Sequence, residues 1–318
     1  MIADGIHCIP IPTPFAVGRV NTYLIEDDPL TLVDSGPNSG KALDELERAL
    51  RDRGHGIEDL GLIVVSHQHI DHEGLVDILA RRSGAEVAAL DPLADWLASY
   101  REQMHADDEF AEGLMRRHGI AEDVGHALRA VSAAFRGWGA PATVTRRLRD
   151  GDEIALRDRA LRVHHRPGHS PTDTVFHDAD RRLLIGADHL IKHISSNPLI
   201  TRGHSRALMT YLGSLRRTRA MDVDLVLTGH GEPVADHRAL IDERFDMHDK
   251  RAAKIASRIA ANGPLTAHEI ATSLWGNVAL TQAYLTFSEV LGHVDLLLDR
   301  GEVVEDEGDD GVVRFRAA

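Results

Sequence analysis

The sequence has little cysteine, no long apolar run and no excess of positive charge. Cys8 is the one cysteine among 318 residues, which excludes an intrachain disulfide framework and a cysteine-based structural zinc site. No stretch of about 18 apolar residues occurs, so no membrane span is predicted. The N-terminal stretch lacks a basic region followed by an apolar segment, so we expect no signal peptide and a cytoplasmic protein.

Acidic residues outnumber basic ones, and the formal net charge is −14. An acidic surface repels phosphate backbones, so we expect a small-molecule substrate rather than a nucleic acid or a membrane as partner. A hydrophobic content of 43% with 27% charged residues is typical of a globular protein. The oligomeric state stays open, with a homodimer as one alternative.

Apolar patterns predict an α/β region that extends to residue 239. Short apolar runs ended by Gly, Asp or Pro alternate there with helical stripes, which is typical of strands with covering helices. Residues 91–139 interrupt this pattern with large apolar side chains at helical spacing, which predicts a helical insertion. We expect these side chains to pack within the insertion, and the alternative is that they shape a substrate pocket.

Residues 240–318 have a different pattern, with three helices followed by a hairpin whose turn is Gly-Asp-Asp-Gly. This order predicts a small winged-helix-like domain. The segment has 14 Asp and Glu against 8 Lys and Arg, and its expected recognition helix, residues 281–299, has neither Lys nor Arg. Binding of phosphate needs those cations, so we predict a packing or dimerisation module.

Residues 66–74, Ser-His-Gln-His-Ile-Asp-His-Glu-Gly, place three histidines and an aspartate directly after an apolar run. His67 and His69 are two residues apart, so both point the same way from an extended segment. Asp71 and His72 are adjacent, so we expect them to point apart and to reach a second site. Imidazole and carboxylate together suit zinc, manganese or iron. The alternative is a polar loop in a chain with 20 histidines.

Four further polar residues follow strand patterns elsewhere in the chain, namely Asp34, His169, Asp188 and His230. Two of them, His169 and His230, are next to glycine. Loops at strand ends are where a rigid scaffold usually holds catalytic groups. These residues therefore favour a metal site over a polar loop.

With these motifs the sequence resembles the metallo-β-lactamase superfamily. The loop matches the family's H-x-H-x-D-H motif, and VDSGP, PGHSPTD, GADH and TGHGEP are similar to its other motifs, in the family's order. The resemblance covers the chain to about residue 235. It implies an αββα sandwich with metals at one edge of the sheets.

The resemblance also implies a dinuclear centre, with two divalent ions as cofactors and zinc preferred over iron or manganese. The implied ligands are His67, His69 and His169 for one metal, Asp71, His72 and His230 for the other, and Asp188 as the bridge. Asp34 is expected to hydrogen-bond the metal loop. His189 either supports the ligands in the same way or is structural, and His193 either faces substrate or is structural.

The implied activity is hydrolysis, in which a metal-bridging hydroxide attacks a small ester, a lactone, or a thioester such as an acyl-CoA or acyl-glutathione. Asp71 is expected to help move a proton to the leaving group. Asp188, in place of a cysteine, resembles the glyoxalase II, lactonase and ribonuclease branches rather than the true β-lactamases. The alternatives are a metal-dependent phosphodiesterase or ribonuclease, and a mononuclear iron oxidoreductase similar to the sulfur dioxygenases.

Several histidines lie outside these motifs, and five of them are predicted to be ordinary surface residues in a histidine-rich chain. They are His7, His55, His118, His126 and His248. No ligand or catalytic role is expected for them.

Overall fold

The computed structural model describes residues 2–276 and 283–318, which form two compact units. The first unit consists of Met1–Gln103, Phe135–Ser196 and Arg219–Arg238, and the second consists of Met104–Ala134, Asn197–Thr218 and Ala239–Ala318. The chain passes from the first unit to the second for the last time at 238–239. The division into two domains at 239–240 stays a prediction. Among the described residues, no helix combines the length and the apolarity needed to cross a bilayer.

The first unit contains two β-sheets. The larger sheet has six strands in sequence order, β1 (Ile6–Ile11), β2 (Val20–Ile25), β3 (Thr31–Val33), β4 (Leu62–Val65), β5 (Glu86–Leu90) and β6 (Arg146–Leu148). Strands β1 to β3 are antiparallel, and β3 to β6 are parallel. All four residues of β4 are buried, as its continuous apolar run predicts for a strand that is covered on both faces.

The smaller sheet has five strands in the order β11-β10-β9-β8-β7. Their bounds are β7 (Glu153–Ala155), β8 (Ala160–His165), β9 (Thr174–Asp178), β10 (Leu183–Ala187) and β11 (Leu225–Thr228). β10 and β11 are parallel, and the remaining pairs are antiparallel. The carboxyl ends of β10 and β11 therefore lie at the same edge of the sheet.

One hydrophobic core joins the two sheets. Tyr23 and Val64 of the larger sheet are buried in the same cluster as Val163, Phe176 and Leu227 of the smaller sheet. The helices of this unit are α1 (Gly40–Arg51), α2 (Ile70–Glu73), α3 (Val76–Ser83) and α4 (Asp91–Ala98), together with the start of α5 (Tyr100–Arg117). This mixed arrangement of sheets and helices is consistent with the sandwich that the resemblance implies.

Helix α1 shows how the local sequence sets these boundaries. The Ser39 side chain accepts a hydrogen bond from the Ala42 backbone N–H at 3.1 Å and so caps the first turn. Leu46 and Leu50 form the buried stripe that the helical spacing predicts. The helix ends at Arg51, three residues before Gly54.

The second unit is mainly helical. Its elements are the rest of α5, α6 (Glu122–Phe135), most of α7 (Ala207–Arg219), α8 (His237–Asn262), α9 (Ala267–Trp275), α10 (Ala283–Asp299), β12 (Val303–Glu307) and β13 (Val313–Ala317). β12 and β13 form the predicted antiparallel hairpin. The predicted start of α10, at residues 280–282, lies outside the described residues. The winged-helix assignment stays a prediction.

Part of the predicted insertion belongs to this second unit. Met115 and Ile120 are buried in one cluster with Ile255, Ile270 and Phe287 of the tail. The expectation that the insertion packs only within itself is therefore wrong. The apolar side chains of α5 pack against residues more than 100 positions later in the sequence. A local apolar pattern shows that a helix has a buried face but does not show which segment covers it.

Candidate metal centre

All seven predicted ligands lie at the carboxyl ends of strands in the first unit. His67 and His69 follow β4, Asp71 and His72 lie on α2, His169 follows β8, Asp188 follows β10 and His230 follows β11. Strand ends are rigid supports, so side chains that project from them keep fixed positions. The structure brings these residues together in two groups.

The first group contains His67, His69, His169 and Asp188, whose ligand atoms all lie within 4.8 Å of one another. Nδ1 of His69 lies 3.1 Å from Nε2 of His67 and 2.8 Å from Nε2 of His169. Two nitrogens bound at about 2.1 Å to one tetrahedral zinc ion are roughly 3.4 Å apart. The observed nitrogen–nitrogen distances of 3.1 and 2.8 Å are slightly shorter than this. The three imidazoles are therefore close enough together to bind a single ion.

The second group contains Asp71, His72 and His230, again within 4.8 Å. Oδ2 of Asp71 lies 3.4 Å from Nε2 of His230. Asp71 and His72 were expected to point apart and to reach a second site; both belong to this one group, but their side chains converge on it. The reason is that α2 replaces an extended segment, and neighbouring residues in a helix are only about 100° apart around the axis.

Asp188 lies between the two groups. Its Oδ2 is 3.4 Å from Nε2 of His169 and 3.5 Å from Nε2 of His230, and its Oδ1 is 3.4 Å from Nε2 of His72. Within the described part of the chain, Nε2 of His72 and Oδ1 of Asp188 are buried without a hydrogen bond. Facing nitrogen and carboxylate atoms with unused lone pairs fit a cation, so the clusters indicate use of a divalent metal.

Asp34 determines which ring nitrogen carries a proton in one histidine of each group. Its Oδ2 accepts hydrogen bonds from Nδ1 of His72 and from Oγ of Ser66, each at 2.8 Å, and its Oδ1 accepts one from the Ser66 backbone N–H at 2.8 Å. Oγ of Ser66 also lies 2.9 Å from Nδ1 of His67. Since the Ser66 hydroxyl donates to Asp34, Nδ1 of His67 donates to that hydroxyl. In both histidines Nδ1 is therefore the donor, which leaves Nε2 as the nitrogen that can bind a metal.

His230 is oriented by the backbone. Its Nδ1 lies 2.9 Å from the Arg19 carbonyl oxygen, which only accepts, so Nδ1 is a donor and Nε2 is the nitrogen that can bind a metal. Asn21 donates to the carbonyl oxygens of Thr228 and Gly231, at 3.0 and 2.8 Å. These bonds hold the loop after β11 against β2.

The backbone is strained next to Asp188. Ala187 has a φ of 42°, a backbone conformation that residues other than glycine rarely adopt. A Cβ atom at Gly229 would lie 2.0 Å from Oδ1 of Asp188, so only glycine leaves room for this carboxylate. Such strain persists where surrounding packing enforces it, and here it aims Asp188 between the two groups.

The carboxylates and imidazoles of the centre shift each other's pKa values. Burial raises the pKa of Asp188, but the charges of His72 and His230 outweigh burial and hold it well below its usual range. Burial lowers the pKa of His230, but the charge of Asp188 prevails and raises it to about 9. Burial and the charge of His169 lower the pKa of His69 to about 3. A metal must therefore displace a proton from His230 but none from His69.

Sequence reasoning missed several supports of the centre. Ser66 carries the link between Asp34 and His67, and Asp173 accepts hydrogen bonds from the backbone N–H and hydroxyl of Ser170 at 2.9 and 2.7 Å. Burial raises the pKa of Asp173 to about 6. Ser66 and Asp173 lie in the sequence motifs that contain the predicted ligands. Their position beside those ligands in the sequence was the feature that could have identified them.

His189 and His193 lie on the same loop but in different surroundings. His189 is buried, and its backbone N–H bonds to the Gly186 carbonyl at 3.0 Å. His193 lines a cavity of about 400 Å³ together with His230. Other residues lining this cavity are Val17, Arg19, Ile191 and Ile194. His193 is therefore positioned beside a ligand of the predicted centre.

The chain matches two sequence families in succession. Residues 16–230 match the Metallo-beta-lactamase superfamily, and residues 254–318 match a family described as Metallo-beta-lactamase-like, C-terminal domain. The first match alone spans more than half of the chain, and it contains all seven predicted ligands.

Individual relatives agree with this. The Probable metallo-hydrolase YqjP of Bacillus subtilis (strain 168) is 32% identical over 303 residues, covering 93% of each chain. The crystal structure of the metallo-beta-lactamase family protein TTHA1429 from Thermus thermophilus has a TM-score of 0.86 at 25% identity and covers both chains completely. The acyl-coenzyme A thioesterase MBLAC2 of Homo sapiens is 51% identical over 41 residues, 13% of this chain and 15% of its own.

Proposed function

Because the chain belongs to the metallo-β-lactamase superfamily, we propose that it is a hydrolase with a dinuclear zinc centre that cleaves thioesters. The observation that carries the proposal is the position of Asp188, whose oxygens lie 3.4 to 3.5 Å from histidines of both groups. A carboxylate between two imidazole groups favours two ions over one. Its two oxygens also favour hard divalent cations with nitrogen and oxygen ligands.

A pair of bound divalent cations supplies Lewis acidity at the substrate carbonyl and lowers the pKa of a coordinated water. The protein supplies the proton transfer. Burial raises the pKa of Asp71, but contact with His230 and the charge of His72 outweigh it and hold the pKa below its usual value. Asp71 is therefore an ionised base at neutral pH.

The proposed reaction balances with one water. The water oxygen bonds to the carbonyl carbon, the carbon–sulfur bond breaks, and the products are a carboxylic acid and a thiol. Asp71 accepts a proton from the water and passes it to the leaving sulfur. His230 lies 3.4 Å from Oδ2 of Asp71, which keeps this carboxylate in place during the transfer.

The cavity beside His230 supports an acyl substrate. Its volume of about 400 Å³ suits a small ligand, and Val17, Ile191 and Ile194 give it an apolar wall. Arg19 and His193 provide polar contacts at the same place. The match to an acyl-coenzyme A thioesterase supports a thioester over a lactone, and this apolar wall is the expected place for the acyl chain.

We also infer that the tail is a winged helix that does not read nucleic acid. The two arginines of β13 are paired with acidic residues of the hairpin, Arg314 with Asp310 at 2.7 Å and Arg316 with Asp306 at 2.6 Å. Cations that are already paired contribute little to phosphate binding. This argues against the ribonuclease alternative.

The test is a parallel assay of the metal-loaded protein on acyl-CoA thioesters, acyl-glutathione, p-nitrophenyl esters, lactones, bis-p-nitrophenyl phosphate and RNA. We expect thioester cleavage to exceed all other activities, with metal analysis giving at least two zinc ions per chain. An Asp71→Asn variant with full metal content is expected to lose about 10²- to 10⁴-fold in kcat. Cleavage of phosphodiesters but not thioesters would overturn the proposal, and one iron ion per chain would favour the oxidoreductase.

A further inference from the structure

A second set of ligand-type side chains is buried in the helices of the second unit. His248 lies on α8, and Glu289 and His293 lie on α10. Their exposed fractions are 1%, 8% and 0%, and their ligand atoms lie within 4.8 Å of one another. The prediction that His248 is a surface residue is wrong, because its ring packs against those of Tyr211 and His293, with centroids 6.3 and 5.2 Å apart.

The two imidazoles face each other with defined ring atoms. Nδ1 of His293 lies 2.6 Å from the Glu289 backbone carbonyl oxygen, so this nitrogen donates a proton and Nε2 keeps a lone pair. That lone pair faces Nδ1 of His248 at 3.1 Å. A backbone bond that fixes the tautomer is what metal-binding histidines usually have. The spacing equals that between His67 and His69 of the first unit.

Glu289 adds a carboxylate to the same place. It precedes His293 by one helical turn, so both side chains project from one face of α10, with Oε1 of Glu289 3.7 Å from Nδ1 of His293. Arg251 of α8 bonds to the same oxygen and holds the carboxylate in position. The set is therefore two imidazoles and one oriented carboxylate.

The surroundings make an accidental cluster costly. Ile255 of α8 and Phe287, Val290 and Val294 of α10 are buried in the adjacent core. A direct hydrogen bond between the two imidazoles leaves Nε2 of His248 buried and unpaired among the described residues. An apolar core holds polar groups at a free-energy cost unless they are satisfied or bind a ligand.

We propose that His248, His293 and Glu289 bind one transition-metal ion, with zinc the best match to two imidazoles and a carboxylate. This site adds one metal ion per chain to those of the first unit. It has no part in the proposed hydrolysis, so metal binding at the two places is separable.

The test compares metal content in three purified full-length proteins after loading with zinc and removal of excess. His293→Phe replaces a buried ring by one that cannot bind metal. His118→Phe is the matched control, because His118 is also buried in this unit, contrary to prediction, and stacks on Phe315 with centroids 5.8 Å apart. We expect His293→Phe to hold one zinc ion fewer than both other proteins, with thioester turnover unchanged.

Equal metal content in all three proteins would overturn the site, whatever substrate the protein cleaves. If His293→Phe does not fold, the wild type gives the answer by anomalous diffraction at the zinc edge from crystals soaked in zinc chloride. We expect a peak about 2.1 Å from both Nδ1 of His248 and Nε2 of His293. No peak there, with zinc present in the first unit, would refute the proposal.

Discussion

Replacement of Asp34 by asparagine tests how the metal loop is held. Asp34 accepts three hydrogen bonds at 2.8 Å, two from Ser66 and one from Nδ1 of His72. Asparagine has the same shape and tolerates the φ of 59° at this position, so the backbone contributes little to the effect. The variant removes the negative charge and turns one acceptor into a donor.

The magnitude follows from the three bonds. Hydrogen bonds to a charged group are worth about 1.5–3 kcal/mol and neutral ones about 0.5–1.5 kcal/mol, so each retained bond loses about 1 kcal/mol. The amide nitrogen of asparagine faces at least one of these hydrogen-bond donors, so the hydrogen bond from that donor is lost completely. We expect the free energy of unfolding to fall by about 3–5 kcal/mol. Metal affinity should fall by about 10- to 100-fold, because His72 loses its fixed tautomer directly and His67 loses it through Ser66.

The assay is competition with a chromophoric zinc chelator, combined with urea unfolding of the metal-free protein. Asp27→Asn is the matched control, since Asp27 is a buried carboxylate of the same unit that accepts from the backbone N–H groups of Asp28 and Asp158 and pairs with Arg159. We expect this control to lose stability but to keep wild-type metal affinity.

The reasoning fails if Asp34→Asn binds zinc as tightly as the wild type at temperatures where both are fully folded. A fall in affinity that Asp27→Asn matches would also refute it, because the loss would then reflect stability alone. Only a selective loss of affinity supports the role of Asp34 in fixing ring protons.

Three further changes test other parts of the centre. Gly229→Ala places a Cβ atom 2.0 Å from Oδ1 of Asp188, so the zinc affinity of the first unit and kcat/KM should each fall more than about tenfold. Gly137→Ala, in open space, should change neither. His193→Ala should raise KM several-fold, by about 3- to 10-fold, with little change in kcat, as steady-state kinetics on a thioester will show. Because the pKa of His230 is raised to about 9, zinc binding should release its proton and tighten as pH rises from 6.5 to 9. Calorimetry in buffers of different ionisation enthalpy measures that release, and zinc affinity independent of pH would contradict it.

The positions of the candidate ligands could be predicted because they depend on local features. A strand pattern ends before each of Asp34, His169, Asp188 and His230, and strands in one sheet bring their ends to a common edge. The spacing of the histidines and the aspartate within residues 66–74 also predicts which of them belong to each group. The helical turn at Asp71 was not predicted, since a helix of only four residues carries too little pattern to set it apart from a loop.

Long-range packing could not be predicted in the same way. His118 and His248 are polar and lie among charged residues, which is the pattern of a surface, yet both are buried by helices distant in sequence. Residues 104–134 similarly join a unit whose other parts begin more than 60 residues further on in the sequence. Periodicity identifies the apolar face of a helix but not the element that covers it.

Each of the two groups of candidate ligands contains residues that follow strands of both sheets of the first unit. His67 and His69 follow a strand of the larger sheet, while His169 and Asp188 follow strands of the smaller one. A metal bound to such a group links the two sheets across a chain loop of about 100 residues, and because the site exists only in the folded protein, its binding free energy stabilises the folded state. Chelators should thus speed global unfolding as well as stop turnover, in a chain whose single cysteine provides no covalent cross-link.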